Sequence, residues 1–188
     1  MIFLQKYNID KNIRFKSFFK TLEIAKNKNL KLIVETGTTR GKTKLFFFNK
    51  YNWKDGMSSI MFAEYAKNFN GHLHTCDISK KNIDSCKKFT KKFSNYITYY
   101  VDDSVNFLKL LKFKIDILYL DSLDSHDPVA ASKHQLNEIV NSIDKLNNNS
   151  LVLLDDKGGK TKLSLEFLLK NEFKIILETK YQLLLSRI

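Results

Sequence analysis

Proline occurs once in this chain and cysteine twice. Cys76 and Cys86 have no CxxC pair and no histidine at zinc spacing, which excludes a disulfide scaffold and a structural zinc site. No apolar run reaches the length of a membrane span. The apolar start at residues 1–4 is too short for a secretory signal, so the expected compartment is the reducing cytoplasm. There is no internal repeat, linker or low-complexity tract, and 1–188 reads as a single domain with an N-terminal helical segment over 1–29. Positive charge is in excess: the formal net charge is +12 and the pI about 9.5. That invites a nucleic-acid partner. The lysines, however, are scattered through every segment among many Asn, Ile and Phe, a mixture that an AT-rich coding bias also produces. A hydrophobic share of 43% and an aromatic share of 13% argue against disorder.

The most telling local feature is residues 32–41, an apolar run that ends on Glu35 and turns at once through Gly37. A continuous apolar run reads as a buried parallel strand, and ligands of open α/β sheets bind beyond the carboxyl ends of such strands. Gly37 permits backbone angles closed to other residues and lets a ligand approach the main chain. Glu35 is expected to stand at the strand end, accepting from a ligand amine or hydroxyl.

The remaining pattern alternates helices and strands. An amphipathic helix is predicted over 12–28, from Ile13, Phe15, Phe18, Phe19, Leu22 and Ile24. Strands are predicted at 31–36, 72–77, 96–101, 114–120 and 150–155, with helices at 58–69, 79–93, 104–111, 128–146 and 161–170. Ser58 or Ser59 and Ser79 are candidate caps, and Asn70-Gly71 a helix stop. Residues 173–178 and 181–187 complete a hairpin. Residues 42–57 read as irregular, with aromatics at Phe46, Phe47, Phe48, Tyr51 and Trp53 that serve either as core or as a lid loop. The fold class is α/β: a doubly wound, Rossmann-like, seven-stranded sheet, mostly parallel with a C-terminal antiparallel hairpin.

Each of the first five strands ends at or beside an acid: Glu35, Asp77, Asp102-Asp103, Asp121 and Asp155-Asp156. Carboxylates are poorly placed at buried strand ends unless something compensates them, and all five ends open on one rim of a parallel sheet. A single Asp there is as readily the cap of the next helix. Asp77, closing the second strand, is the usual partner of a ribose hydroxyl pair.

With these residues the chain resembles the class I S-adenosylmethionine-dependent methyltransferases, over about residues 30–188. The run Glu35-Thr36-Gly37-Thr38-Thr39-Arg40-Gly41 is similar to the first motif in the E-x-G-T-x-x-G form of cephalosporin-hydroxylase-like and macrocin-type sugar O-methyltransferases. The resemblance implies that Glu35, Thr36, Gly37 and Thr38 line the methionine part of S-adenosylmethionine. It puts the ribose at Asp77 with Ile78 beside it, and Asp102, Asp103 and Ser104 near the adenine. It also implies a Mg²⁺ ion on Asp121, Asp155 and Asp156, which would acidify a bound hydroxyl, and adds to the catalytic Asp121 a general base at Asp124 or His126. His126 stands two residues farther on than the common D-G-x-H spacing. His134, His72 and His74 read as structural. A dehydrogenase fits less well, since the glycines do not form G-x-G-x-x-G. The Asp/Asn-Pro-Pro-Tyr signature of amino-methylating nucleic-acid enzymes is absent.

The expected function is therefore O-methylation of a sugar, glycan precursor or other small hydroxylated acceptor. No membrane span is expected, and a homo-oligomer is left open. Two alternatives stand beside it. One is an RNA ribose 2′-O-methyltransferase, for which Asp121, Lys157 and Glu178 fill three places of a Lys-Asp-Lys-Glu tetrad. The other is a cofactor-binding protein without transferase activity.

Overall fold

The computed structural model describes residues 1–45, 48–55, 57–124 and 126–187. Seven strands form the main sheet: β1 (Leu32–Thr36), β4 (His72–Asp77), β5 (Ile97–Val101), β6 (Ile115–Leu120), β7 (Leu146–Leu154), β8 (Phe173–Glu178) and β9 (Leu183–Arg187). Their spatial order is β5-β4-β1-β6-β7-β9-β8. All neighbours pair in parallel except β9, which runs antiparallel to both β7 and β8. This is the doubly wound sheet expected from the sequence. The chain builds outward from β1 on one side, then returns to lay β6 on its other flank. The topological switch point therefore falls between β1 and β6, where open α/β sheets bind ligands.

Residues alternate across the sheet with the strand period of two. Ile33, Ile117, Tyr119, Leu151 and Leu153 face one apolar cluster, in which α1 (Phe15–Asn27) and α2 (Ser58–Asn68) supply Phe18, Leu22, Met61 and Phe62. Val34, Leu118, Leu120, Val152 and Leu154 face the other, with Phe107 and Leu108 of α4 (Ser104–Leu110), Ile139 of α5 (Pro128–Val140) and Leu168 of α6 (Lys162–Lys170). Both faces are covered, which is why these strands read as unbroken apolar runs. Phe18, Phe62 and Tyr119 meet edge to face at 5.3–5.6 Å between ring centroids, so Tyr119 is core by its ring.

Helix boundaries follow local chemistry. Ser79 caps α3 (Lys80–Phe89), Asp103 caps α4, and Asp127 caps α5, where Pro128 opens the first turn. Asn70 ends α2 in the left-handed conformation at φ 50°. Two expectations need correction. Residues 42–57 are not irregular throughout, for β2 (Lys42–Leu45) and β3 (Phe48–Tyr51) pair as a separate antiparallel hairpin. Phe46, Phe47 and Gly56 of that segment lie outside the described residues, while the Trp53 ring packs on Tyr7 at 5.6 Å. The helix predicted over 128–146 ends at Val140, after which the chain enters β7 at Leu146.

Candidate active site

The turn after β1 forms the floor of a cleft at the switch point. Gly37 has φ 76°, and a Cβ on it would lie 2.2 Å from the carbonyl oxygen of Asp121, at the end of β6. Only glycine lets these two strand ends approach so closely. On one side of Gly37 an opening of about 100 Å³ is lined by Cys76, Asp77, Ile78, Asp103, Ser104, Ser122, Leu123 and His134. On the other side a second opening, of about 110 Å³, shares Gly37, Asp77, Ile78 and Ser122 and adds Thr38, Arg40, Ser58, Asn82 and Asp121.

Asp77 stands between them. Its carboxylate accepts from the Ser79 backbone N–H at 2.7 Å and from Asn82 Nδ2 at 3.1 Å, with a longer contact of 3.4 Å from the Thr38 N–H. Its partners are all neutral. Ile78 beside it is 76% exposed, an apolar side chain left open on the cleft wall. Across the mouth, Arg40 grips Asp124 with two bonds of 2.9 and 3.0 Å.

Glu35 is fully buried beneath the turn and accepts from Ser58 Oγ at 2.5 Å, Ser59 Oγ at 2.6 Å and Thr75 Oγ1 at 2.6 Å. Ser58 and Ser59 thus act not as helix caps but as donors that tie α2 to β1. Burial pushes the Glu35 carboxyl up to about 7, against the pull of the three hydroxyls.

Beyond Asp121 the character of the rim changes. The Asp121, Asp155 and Asp156 carboxylates converge, with one oxygen of each within 4.8 Å of the others. Two basic side chains enter this cluster. Arg14, just before α1, donates from Nε to Asp155 at 2.7 Å and from an Nη to Asp156 at 3.0 Å. Lys160 Nζ lies 3.2 Å from Asp121 and 3.3 Å from Asp156, with its side chain 1% exposed. Tyr119 OH donates to Asp155 at 2.9 Å and lies 3.3 Å from Asp121. Burial and the nearby Asp155 raise the Asp121 carboxyl well above the ordinary range, opposed by Lys160. Burial works against the Lys160 ammonium, but Asp121 and Asp156 outweigh it and its pKa rises. Asp156 itself sits at φ 53°, in the left-handed region that few non-glycine residues occupy.

Comparison with known proteins gives this rim a family. The family model described as a methyltransferase domain matches residues 53–157. The chain belongs to that methyltransferase family. No curated protein sequence matches it. A solved methyltransferase of Podospora anserina, PaMTH1 bound to SAH, is 14% identical with a TM-score of 0.67, covering 93% of this chain and 79% of that one. A putative rRNA-methylase of Clostridium thermocellum is 16% identical with a TM-score of 0.64, covering 96% and 100%. The O-methyltransferase NovP is 12% identical with a TM-score of 0.62, covering 93% and 79%. At these identities the likeness is one of fold, that of the class I S-adenosylmethionine-dependent methyltransferases.

In this methyltransferase the structure brings Gly37, Thr38, Asp77, Ile78, Asp103, Ser104 and Asp121 to the cleft. It leaves other expected residues off the wall. Glu35 and Thr36 are fully buried below it, and Glu35 meets internal hydroxyls, not an open space. Asp102 turns to its own loop and binds Asn106 Nδ2 at 2.9 and 3.1 Å. Asp124 is held below the ordinary carboxylate range by Arg40, which makes it a weaker base. His126 is exposed on the turn before α5 and lines neither opening. His134, expected to be structural, instead lines the cleft and meets Ser104 Oγ at 2.9 Å. His72 and His74 contact Thr98 and Tyr100 across β4 and β5. Of the RNA-type tetrad, Lys157 pairs with Glu178, and the lysine at Asp121 is Lys160.

The carboxylate triad suits Mg²⁺ by ligand type but not by its partners. Arg14 and Lys160 hold both oxygens of Asp156 and one oxygen each of Asp121 and Asp155, and the Tyr119 hydroxyl stands at the remaining two. The residues present therefore do not fit a divalent ion. Arg14 escaped the sequence reading because nothing local points from residue 14 to 155, whereas Lys160 belongs to the turn 157–160 that reads as mobile or anion-contacting. One signal was available. Arg occurs only at 14, 40 and 187 in a lysine-rich chain, and both Arg14 and Arg40 use the planar fork that lysine lacks.

Proposed function

We propose that this methyltransferase uses S-adenosylmethionine to methylate a hydroxyl of a sugar, glycan precursor or other small molecule. The observation that carries this reading is the contact of Gly37 with Asp121, which sets a cleft between a ribose-type carboxylate, Asp77, and a raised carboxyl, Asp121. Asp77 has only neutral partners, which a ribose diol can displace or share. Ile78 offers an apolar cover for the adenine, framed by Asp103, Ser104 and His134. Thr38 and Gly37 line the methionine end, while Glu35 holds the turn from below.

Bound there, S-adenosylmethionine supplies an electrophilic methyl group on sulfur. The chain must place the acceptor oxygen in line with it and remove the hydroxyl proton. Asp121 is the base in this reading. Its Oδ1 is fixed by Lys160, while Oδ2, 3.3 Å from the Tyr119 hydroxyl, takes the proton. A raised carboxyl retains a transferred proton better than an ordinary one. A separate opening of about 310 Å³ lies next to this group, lined by Pro128, Asp156, Lys157, Gly159, Lys160 and Tyr181. Charges of both signs and one aromatic face suit a polar, hydroxylated acceptor, and we assign acceptor entry to it.

Calorimetric titration with S-adenosylhomocysteine tests the cofactor reading. Binding in the micromolar range that Asp77→Ala weakens is expected, and no binding at millimolar ligand overturns it. Labelled S-adenosylmethionine offered with a panel of nucleotide sugars then tests the acceptor. Label transferred instead to RNA, with binding that falls steeply as salt rises, would favour the RNA reading that the charge of +12 invites.

A further inference from the structure

We infer that the acceptor end of the cleft carries its own cations: Arg14 and Lys160 occupy the place of a divalent ion and hold Asp121, Asp155 and Asp156 without one. The inference rests on the reading of this cleft as a methyl-transfer site, but its test does not. Charge gives the first argument. Three carboxylates within 4.8 Å of one another repel strongly in a buried setting, and something must offset them. A guanidinium and an ammonium do so here, at 2.7–3.3 Å. Occupancy of the oxygens gives the second: four of the six carboxylate oxygens, including both of Asp156, are already held by Arg14 or Lys160, and a metal using Asp156 would have to displace one of them.

The anchoring of these cations gives the third. The Arg14 fork also donates to the Lys54 carbonyl at 2.7 Å, and its guanidinium lies 5.5 Å from the Tyr181 ring centre. It is held by three separate parts of the chain and is not free to swing aside. Lys160 is almost wholly enclosed, its side chain 1% exposed at the end of the turn that holds Gly158 and Gly159. Lys160 lines the proposed acceptor opening and touches Asp121, which lines the cofactor cleft. It is therefore a positioning residue at the wall between the two, where a metal-assisted enzyme would keep its ion.

Mn²⁺, a paramagnetic substitute for Mg²⁺, provides the test by electron paramagnetic resonance or calorimetry. The wild-type protein is expected to show no stoichiometric Mn²⁺ site up to millimolar ion and no change of Tm in EDTA. Lys160→Met removes the ammonium group while keeping an unbranched side chain one atom shorter, and should bind one Mn²⁺ at least tenfold tighter than wild type. Arg14→Gln offers the same gain by a second route if Lys160→Met fails to fold. Stoichiometric binding by wild type that is lost in Asp156→Asn overturns the inference. Folded Lys160→Met and Arg14→Gln proteins that both bind no Mn²⁺ overturn it equally, because the cations are then not what occupies the metal's place. S-adenosylhomocysteine binding, measured on the same samples, reports separately on the methyltransferase reading.

Discussion

The rim of this sheet has two halves that solve one problem differently. At β1, β4 and β5 the acids are satisfied by neutral donors: hydroxyls on Glu35, and a backbone N–H and an Asn amide on Asp77. At β6 and β7 they are satisfied by Arg14 and Lys160. A neutral hydrogen bond nets only about 1 kcal/mol and can be exchanged for one to a ligand. A buried ion pair cannot be opened without leaving an uncompensated charge, at about 3–5 kcal/mol. On the proposed reading Asp77 can trade its neutral partners for a ligand, while the acids of the second half stay fixed.

The largest effect is expected where the halves meet. Gly37→Ala would set a Cβ 2.2 Å from the Asp121 carbonyl at φ 76°. It should abolish S-adenosylhomocysteine binding by calorimetry and reduce stability in urea by about 2–5 kcal/mol. Arg14→Met isolates the fixed half. It should cost about 3–5 kcal/mol, a fall in Tm of roughly 6–20 °C, with cofactor affinity nearly unchanged. If it cost no more stability than Asp77→Ala, the distinction between the halves would fail.

Glu35 sharpens the comparison through pH. Its folded pKa is about 7 against an ordinary 4.5, so the native state binds the proton more tightly than the unfolded chain. Stability from this group is present below about 4.5 and is lost as pH rises to about 7, by about 3 kcal/mol in all. Thermal melts between pH 4.5 and 7.5 should show that decline in wild type and a flatter profile in Glu35→Gln. Asp77→Ala should weaken S-adenosylhomocysteine by about 10- to 100-fold while leaving Tm nearly in place. Smallest of all, Arg40→Gln breaks an ion pair whose side chains are 43% and 48% exposed. It should change stability by under about 1 kcal/mol, and by less still in high salt.

The legible part of this protein lay in local pattern. The strand runs, the glycine turn and the acids at strand ends are set by neighbours in sequence, and β4 was read to the residue. The β2–β3 hairpin was missed because its charged, aromatic sequence carries no alternation to signal a strand. Side-chain direction was harder. Glu35 belongs to the same motif as Gly37, and alternation puts it on the face of Ile33, but that Ser58, Ser59 and Thr75 would close over it there is set by the packing of α2 and β4, which no spacing in the sequence states.

By itself the sequence determined the doubly wound sheet, the glycine turn after β1 and the gathering of Asp121, Asp155 and Asp156 on one rim. These follow from periodicity and from the rule that parallel strands open at a common end. Only the tertiary structure decided what those acids are for. The partner of Asp155 lies 141 positions away at Arg14, and a charge buried without a partner is too costly to persist. The fold therefore had to bring the partner in from outside the motif.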